Sequence, residues 1–86
     1  MITGINTHLE HGGTDYHIQI EDIAPSAELE VRVYAGGRIL FHKRHSYRQV
    51  VEGLANPTHI QTAVKDELGK LLGLVKAAIE RGRIKA

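Results

Sequence analysis

Histidine is the residue type in this sequence that could perform the widest range of chemistry, because an imidazole can bind a metal ion or transfer a proton near neutral pH. Six histidines occur among 86 residues, and cysteine is absent. His8 and His11, and likewise His42 and His45, have the His-x-x-His spacing that suggests metal chelation. Residues three apart on a strand point to opposite faces, however, so neither pair is a natural chelate. We therefore predict no metal site and no cofactor.

One pair of histidines is brought together by the predicted sheet. A turn at Gly12-Gly13 sets His8 opposite His17 on the outer face of a hairpin, close enough to share an ion. A closed zinc site needs about four ligands, and the sequence offers no obvious third and fourth. The sequence leaves open whether His8 and His17 bind a metal.

Catalytic motifs are the next group of residues to consider. The sequence contains no glycine-rich phosphate loop, no Gly-x-Ser-x-Gly and no His-Glu-x-x-His. Ser46 follows His45 directly, but a nucleophile needs a base and an orienting group that converge on it in space. A domain of this size also has little room for a substrate pocket. We therefore predict that the chain is not an enzyme.

Two Gly-Gly pairs, each between segments of alternating polarity, predict β-hairpins. At Gly12-Gly13, a two-residue turn pairs Leu9 with Tyr16 and gathers the apolar residues of both strands on one face. Residues 22–27 contain Pro25 and form a loop. The first half of the chain thus predicts four strands, near residues 3–10, 14–21, 28–35 and 38–45.

The second hairpin requires a different turn. A two-residue turn would set Phe41 opposite Arg32, which is a poor match. A three-residue loop with a bulge at Gly37 instead pairs Val31 with Phe41 and Val33 with Ile39. We predict that register.

Residues 57–81 are predicted to form one long helix. Asn56 is a good N-cap, Pro57 suits the first helical position and Gly82 is placed to end the helix. Its apolar arc spans about 160°, interrupted by Glu67, whereas packing on one sheet needs about 100°. This excess predicts a homodimer through Ile60, Leu68, Leu72, Leu74 and Ile79. Alternatively, the connecting segment 46–54 covers the remainder within one chain.

Together these elements predict a single α+β domain over residues 1–86, with a four-stranded antiparallel meander and one sheet face covered by the helix (ββββα). The predicted core comprises Ile5, Leu9, Tyr16, Ile18, Ile20, Leu29, Val31, Val33, Ile39, Phe41, Val64, Leu68, Leu71 and Val75.

The opposite sheet face mixes both charge signs with tyrosine and leucine. Tyrosine and arginine are enriched among the residues that dominate protein interfaces. We therefore predict a non-enzymatic protein-interaction or assembly module. A merely solvated face, or a partner strand added to a free sheet edge, would also fit. The predicted face comprises His17, Gln19, Glu21, Glu30, Arg32, Tyr34, Leu40, His42 and Arg44.

Charge is distributed unevenly along the chain, with an acidic first half (1–42) and a basic second half (43–86). The basic segment 42–48 and the tail 81–86 suggest single-stranded nucleic-acid binding as an alternative function. The formal net charge of only +1 disfavours it. Cations at the end of a helix also complement the helix dipole.

Location can also be argued from composition. The first residues resemble no signal peptide, and no run approaches the roughly 20 apolar residues of a membrane span. A reducing compartment agrees with the absence of cysteine. We expect a cytoplasmic protein that does not enter a membrane.

The strand at 16–22, the hairpin at 33–40 and Ser46-Tyr47 together form a recognisable pattern. It is similar to a small uncharacterised bacterial domain family with a Tyr-His-x-Gln-x-Glu-Asp strand, a Gly-Gly hairpin and a Ser-Tyr. The resemblance covers roughly residues 5–50. It implies a bacterial origin and an association with signalling or surface machinery, and it supplies no activity and no functional residues.

Overall fold

The computed structural model describes residues 4–86, which form an antiparallel sheet followed by a long helix. The strands are β1 (Gly4–His11), β2 (Thr14–Ile23), β3 (Glu28–Ala35) and β4 (Arg38–Ser46), in the sheet order β1-β2-β3-β4. A 3₁₀ turn (Ala24–Ser26) joins β2 to β3, and α1 (Arg48–Val51) precedes α2 (Pro57–Glu80). The predicted α+β meander is confirmed, while Thr3, at the start of the first predicted strand, lies outside the described residues.

The first hairpin has the predicted register. Leu9 pairs with Tyr16 and His8 pairs with His17. Gly12 and Gly13 have φ values of 59° and 81°. Positive φ at both central residues defines a type I′ turn, whose twist matches that of the strands it joins.

The second hairpin differs from the prediction. Ala35 pairs with Arg38, so the turn contains only Gly36 and Gly37, both at positive φ. Tyr34 then pairs with Ile39 and Val33 with Phe41, which leaves Leu40 as the extra residue of a bulge in β4. Two adjacent glycines adopt the type I′ turn without steric cost, so the extra residue enters the strand rather than the turn.

Because of this bulge, two residues lie on the opposite side of the sheet from the predicted one. Ile39 is 49% exposed, so its place in the predicted core is wrong. Leu40 packs against the core, so its place on the outer face is also wrong. Val31 lies opposite Lys43 rather than Phe41, because the register beyond the bulge differs from the predicted register by two residues. Phe41 still contacts the core.

The hydrophobic core lies between one face of the sheet and α2. Most predicted core residues are buried there, and Ile5, Leu9, Phe41 and Leu71 are partly buried against them. Tyr47 and Ile84 are core residues that the prediction omits. The residues buried to less than 2% exposure are Ile18, Ile20, Leu29, Val31, Val33, Leu68 and Ile79.

Both ends of α2 follow the predicted signals. Asn56 Oδ1 accepts the N–H groups of Thr58 (2.8 Å) and His59 (3.3 Å), which caps the N-terminus. Gly82, at a φ of 75°, ends the helix, and its N–H donates to the carbonyl of Ile79. Within residues 4–86, neither helix has the length and apolar character that crossing a membrane requires.

The segment between β4 and α2 packs against the helix. Tyr47 is buried, its N–H donates to the carbonyl of Ala27 (2.9 Å), and its hydroxyl donates to Asp22 Oδ1 (2.7 Å). Burial and the adjacent Asp22 carboxylate raise the pKa of Tyr47 to about 12. Val51 contacts the core, and α1 contacts α2. Part of the broad apolar arc is thus covered within the chain.

Glu67, which interrupts the apolar arc of α2, has a partner on β4. The bulge at Leu40 turns His45 toward the helix, where His45 is the cross-strand neighbour of the buried Leu29. His45 Nε2 lies 2.8 Å from Glu67 Oε2. A carboxylate on the sheet-facing side of a helix is costly unless it is paired, and His45 supplies the pair.

Replacing Tyr47 with phenylalanine tests the link between the connecting segment and β2. Asp22 would lose its hydroxyl donor while the aromatic ring stayed in the core. We expect Tyr47→Phe to lower the free energy of unfolding in urea by about 1–2 kcal/mol. Tyr34→Phe is the matched control, because the Tyr34 hydroxyl has no hydrogen-bond partner in the described chain. Equal losses in both variants would contradict this role.

Candidate functional site

The outer face of the sheet brings together eight of the nine residues predicted for it, and Ile39 takes the place of Leu40. Cross-strand pairs set Gln19 beside Arg32 and His17 beside Tyr34. Alternation along each strand produces this polar face, because the residues between these positions point to the helix side of the sheet. The polar face comprises His17, Gln19, Glu21, Glu30, Arg32, Tyr34, Ile39, His42 and Arg44.

Glu30 is the centre of this face. Its side chain is only 6% exposed, although it lies on the polar side of the sheet. Arg32 Nη2 lies 2.9 Å from Glu30 Oε1, and His42 Nε2 lies 2.9 Å from Glu30 Oε2. Arg44 Nε lies 3.4 Å from the same Oε2, and Arg44 Nη1 lies 3.3 Å from Glu28 Oε1. One buried carboxylate therefore orients two guanidinium groups and one imidazole.

These contacts also determine how Glu30 ionises. The hydrogen bond from His42 lowers the pKa of Glu30, burial opposes this change, and the charges of Arg32 and Arg44 lower the pKa further. The net result is a pKa below the ordinary value of 4.5. Glu30 therefore remains a carboxylate under neutral conditions and keeps its cations in place.

A second cluster lies nearer the glycine turns. The rings of His8 and His17 stack with centroids 4.5 Å apart and an interplanar angle of 2°. Asp15 Oδ2 lies 3.0 Å from His8 Nδ1, and His17 Nε2 donates to Asn6 Oδ1. The ring of Tyr34 lies 6.0 Å from that of His17. These contacts occupy one nitrogen of each imidazole and fix the orientation of both rings.

This cluster contains two imidazoles, which are common metal ligands. Over residues 4–86, no group of three or more His, Cys, Asp or Glu side chains has an arrangement that could hold a metal ion. His11 lies at the hairpin mouth, opposite Thr14, whereas His42 contacts Glu30 two strands away. The histidines are thus divided among separate contacts.

Two shallow hollows flank Glu30 and Tyr34 on this face. One, of about 360 Å³, lies beside Gly4, Gln19, Glu21 and Arg32. The other, of about 500 Å³, is lined by residues that include His8, His17, Tyr34 and Gly37. Both are open; the first has mainly polar walls, and the second has polar and apolar walls in similar measure. The two hollows make the face uneven, so that side chains of a partner can fit into it.

The basic segment 42–48 does not form one cluster. His42 and Arg44 lie on the polar face and contact acidic residues of β3. Lys43 pairs with Val31 and therefore faces the helix side. Arg48 Nη2 donates to the carbonyl of Ser26. Alternation along β4 thus separates the cations that the sequence places side by side.

His45 and Ser46 are separated in the same way. His45 faces α2 and pairs with Glu67, whereas Ser46 pairs with Glu28 on the polar side and accepts the N–H of Arg48. The two side chains point to opposite faces of the sheet. They do not converge as a nucleophile and its base.

The residues predicted for a helix-mediated dimer separate into two groups. Leu68 and Ile79 are each 1% exposed, so they are core residues of one chain and are not available to a second copy. Ile60 and Leu72 are partly buried against the core, and Leu74 is 68% exposed. The wide arc overstates the free surface, because the sheet, α1 and the tail after Gly82 cover most of it.

Sequence reasoning did not find the groove between β4 and α2. This groove has a volume of about 340 Å³, and Phe41, Leu71, Leu74 and Val75 are among its lining residues. Lys43 and Arg83 also line it. No local sequence pattern marks the groove, because its shape depends on how α2 lies across the sheet.

Acid unfolding tests the Glu30 cluster. The folded-state pKa of Glu30 lies below its unfolded value, so the folded state binds fewer protons, and the stabilisation is present above the unfolded pKa. It is lost as the pH falls through the folded pKa. We expect the free energy of unfolding in urea to fall as the pH drops below about 5, and to fall less in Glu30→Gln. Glu10→Gln, which changes an exposed carboxyl on β1, should behave like the wild type. Equal acid losses in the wild type and Glu30→Gln would contradict the cluster.

The chain was also compared with known proteins. No protein-family model, no curated protein and no solved structure matches it. The resemblance carried by residues 5–50 therefore stays a prediction.

Proposed function

We propose that this chain is a non-enzymatic protein-interaction module that binds its partner through the polar face of the sheet. The observation that supports the proposal is the buried Glu30 carboxylate, which holds Arg32, His42 and Arg44 in place at the surface. A solvated face needs no such arrangement, because exposed arginines are ordinarily paired weakly or not at all.

Preorganisation makes these arginines suited to binding. Fixing a long side chain on association costs about 0.5–1.5 kcal/mol. In the free chain, the contacts with Glu30 already restrict the side chains of Arg32 and Arg44, so less conformational entropy is lost when a partner binds. Each guanidinium retains N–H groups that make no hydrogen bond to the described residues, and these can donate to a partner.

The surroundings of the cluster suggest the chemistry of that partner. Tyr34 and the exposed Ile39 supply apolar contact next to Arg32. Glu28 and Glu30 together balance the charges of Arg32 and Arg44, and Glu21 lies beside Glu30, so the face carries no net positive charge. A partner that offers hydrogen-bond acceptors to the free guanidinium N–H groups, beside an apolar side chain, would complement this pattern.

The resemblance at residues 5–50 would place such a module in signalling or surface machinery of a bacterial cell. A cytoplasmic location agrees with the absence of cysteine.

Two other assemblies have less support. Single-stranded nucleic acid would need clustered free cations, whereas Lys43 faces away from Arg44, and Arg44 already contacts Glu28 and Glu30. A homodimer through α2 rests mainly on Leu74, and one exposed leucine supplies little of the roughly 800 Å² per partner that a stable interface needs.

Capture of partners from an extract of the source cells tests the polar face. We expect Arg32→Gln and Tyr34→Ala each to weaken retention of a bound protein by about tenfold. Glutamine is preferred to glutamate at position 32, because a second carboxylate beside the buried Glu30 would endanger the fold. Lys70→Gln, on the exposed side of α2, is the control and should retain the partner.

Two results would count against this function. A partner that binds the wild type, Arg32→Gln and Tyr34→Ala equally well would show that the face is not the site. Salt-sensitive binding of single-stranded nucleic acid that is lost in Lys43→Gln/Arg44→Gln would favour the alternative function. Circular dichroism confirms that each variant is folded before it is compared.

A further inference from the structure

β4 is an outer strand of the open sheet. The order β1-β2-β3-β4 pairs one edge of β4 with β3, and no strand of residues 4–86 pairs with its other edge. The N–H and C=O groups along an unpaired edge can accept a further strand, and proteins use such edges to bind extended segments of other proteins.

An apolar groove runs beside this free edge. Among the strands, β1 has the most extensive backbone approach to α2, which leaves the β4 side of the sheet less covered. Phe41, Leu71 and Val75 line the groove, and Leu74 is 68% exposed at its margin. A leucine this exposed beside other apolar side chains supplies binding surface that the fold itself does not use.

The charges around the groove indicate what can occupy it. Lys43 and Arg83 line it, and neither has a carboxylate within salt-bridge distance among the described residues. The charged residues of β4 are all basic. Pairing β4 with β4 of a second copy would set these cations against one another, which is unfavourable across strands. The charge pattern therefore selects an acidic segment over a second copy.

The inner edge of β4 shows which kind of strand it accepts. β3 carries Glu28 and Glu30 on the face where both contact Arg44. Leu29 and Val31 alternate with them and face the core. β4 is thus already paired with a strand in which carboxylates alternate with aliphatic side chains. The same β4 side chains are shared by both edges, so the outer edge presents similar chemistry.

We propose that the outer edge of β4 and the adjoining groove bind an extended segment of another protein in which carboxylates alternate with aliphatic side chains. The segment adds as a fifth strand, with its aliphatic side chains over Phe41 and Leu74 and its carboxylates beside Arg44. Lys43 and Arg83 lie on the groove side, where their charges add to the positive potential that attracts an acidic segment. The site shares Arg44 with the Glu30 cluster, but the groove residues Phe41, Leu74 and Lys43 lie outside that cluster, so the site does not depend on the function proposed above.

Binding of synthetic peptides to the full chain, followed by fluorescence anisotropy, tests the site. The probe peptide alternates Glu and Val, and its counterpart alternates Lys and Val. We expect saturable binding of the Glu peptide and binding at least about tenfold weaker for the Lys peptide. A Glu peptide methylated on alternate backbone nitrogens should also bind about tenfold more weakly, because strand addition requires those N–H groups.

Protein variants locate the site. Leu74→Glu and Lys43→Glu change exposed side chains, and each should weaken binding of the Glu peptide by about tenfold or more. Leu54→Glu and Lys70→Glu make the same changes outside the groove and should bind like the wild type. Circular dichroism and urea unfolding confirm that all four variants remain folded.

Several outcomes would overturn the proposal. These are the absence of saturable binding, equal binding of the two peptides, and equal binding by the wild type, Leu74→Glu and Lys43→Glu. Unchanged binding of the methylated peptide would eliminate strand addition. Light scattering tests whether a second copy of the chain occupies the groove. A wild-type mass of two chains that Leu74→Glu reduces to one would show that it does.

Discussion

The extra residue at Leu40 is the feature on which the rest of the structure depends. Strand residues alternate between faces, so inserting one residue exchanges the faces of all residues that follow. Without it, a two-residue turn would direct Phe41 to the polar side and His42 and Arg44 into the core. With it, Phe41 reaches the core, Arg44 reaches Glu30, and His45 reaches Glu67. One bulge therefore sets the composition of both sheet faces.

Both faces combine a carboxylate with a histidine of β4. Glu30 is paired on the polar face and Glu67 on the helix face, and the histidines that contact them lie three residues apart on one strand. The His-x-x-His spacing of His42 and His45, which suggests chelation, serves instead to contact two carboxylates on opposite sides of the sheet. The spacing is a consequence of the layered fold, and it leaves each histidine available to a different partner.

Much of this architecture could be predicted because its determinants are local. Alternation and glycine turns define the strands, and Asn56 and Gly82 define the ends of the helix, because each signal involves only neighbouring residues. The position of the bulge could not be predicted, since a loop at Gly37 and a bulge at Leu40 both put Phe41 on the core side. The polar face was found because it follows from alternation. The burial of Glu30 could not be predicted, because it requires Arg32, His42 and Arg44 to surround the carboxylate. The groove was missed because the helix position depends on packing across the whole sheet.

The meander order also has a consequence for how the chain folds. Every strand pairs only with its neighbours in sequence, through two type I′ turns of two residues and the 3₁₀ turn between β2 and β3. Contacts between residues close in sequence form with little loss of loop entropy, and chains rich in such contacts fold quickly. The joining of α2 to the sheet is the event that links distant parts of the chain, and burial of Ile84 next to the sheet extends that link beyond the helix. The hairpins can therefore form early and independently, and docking of the helix is the step in which folding becomes cooperative.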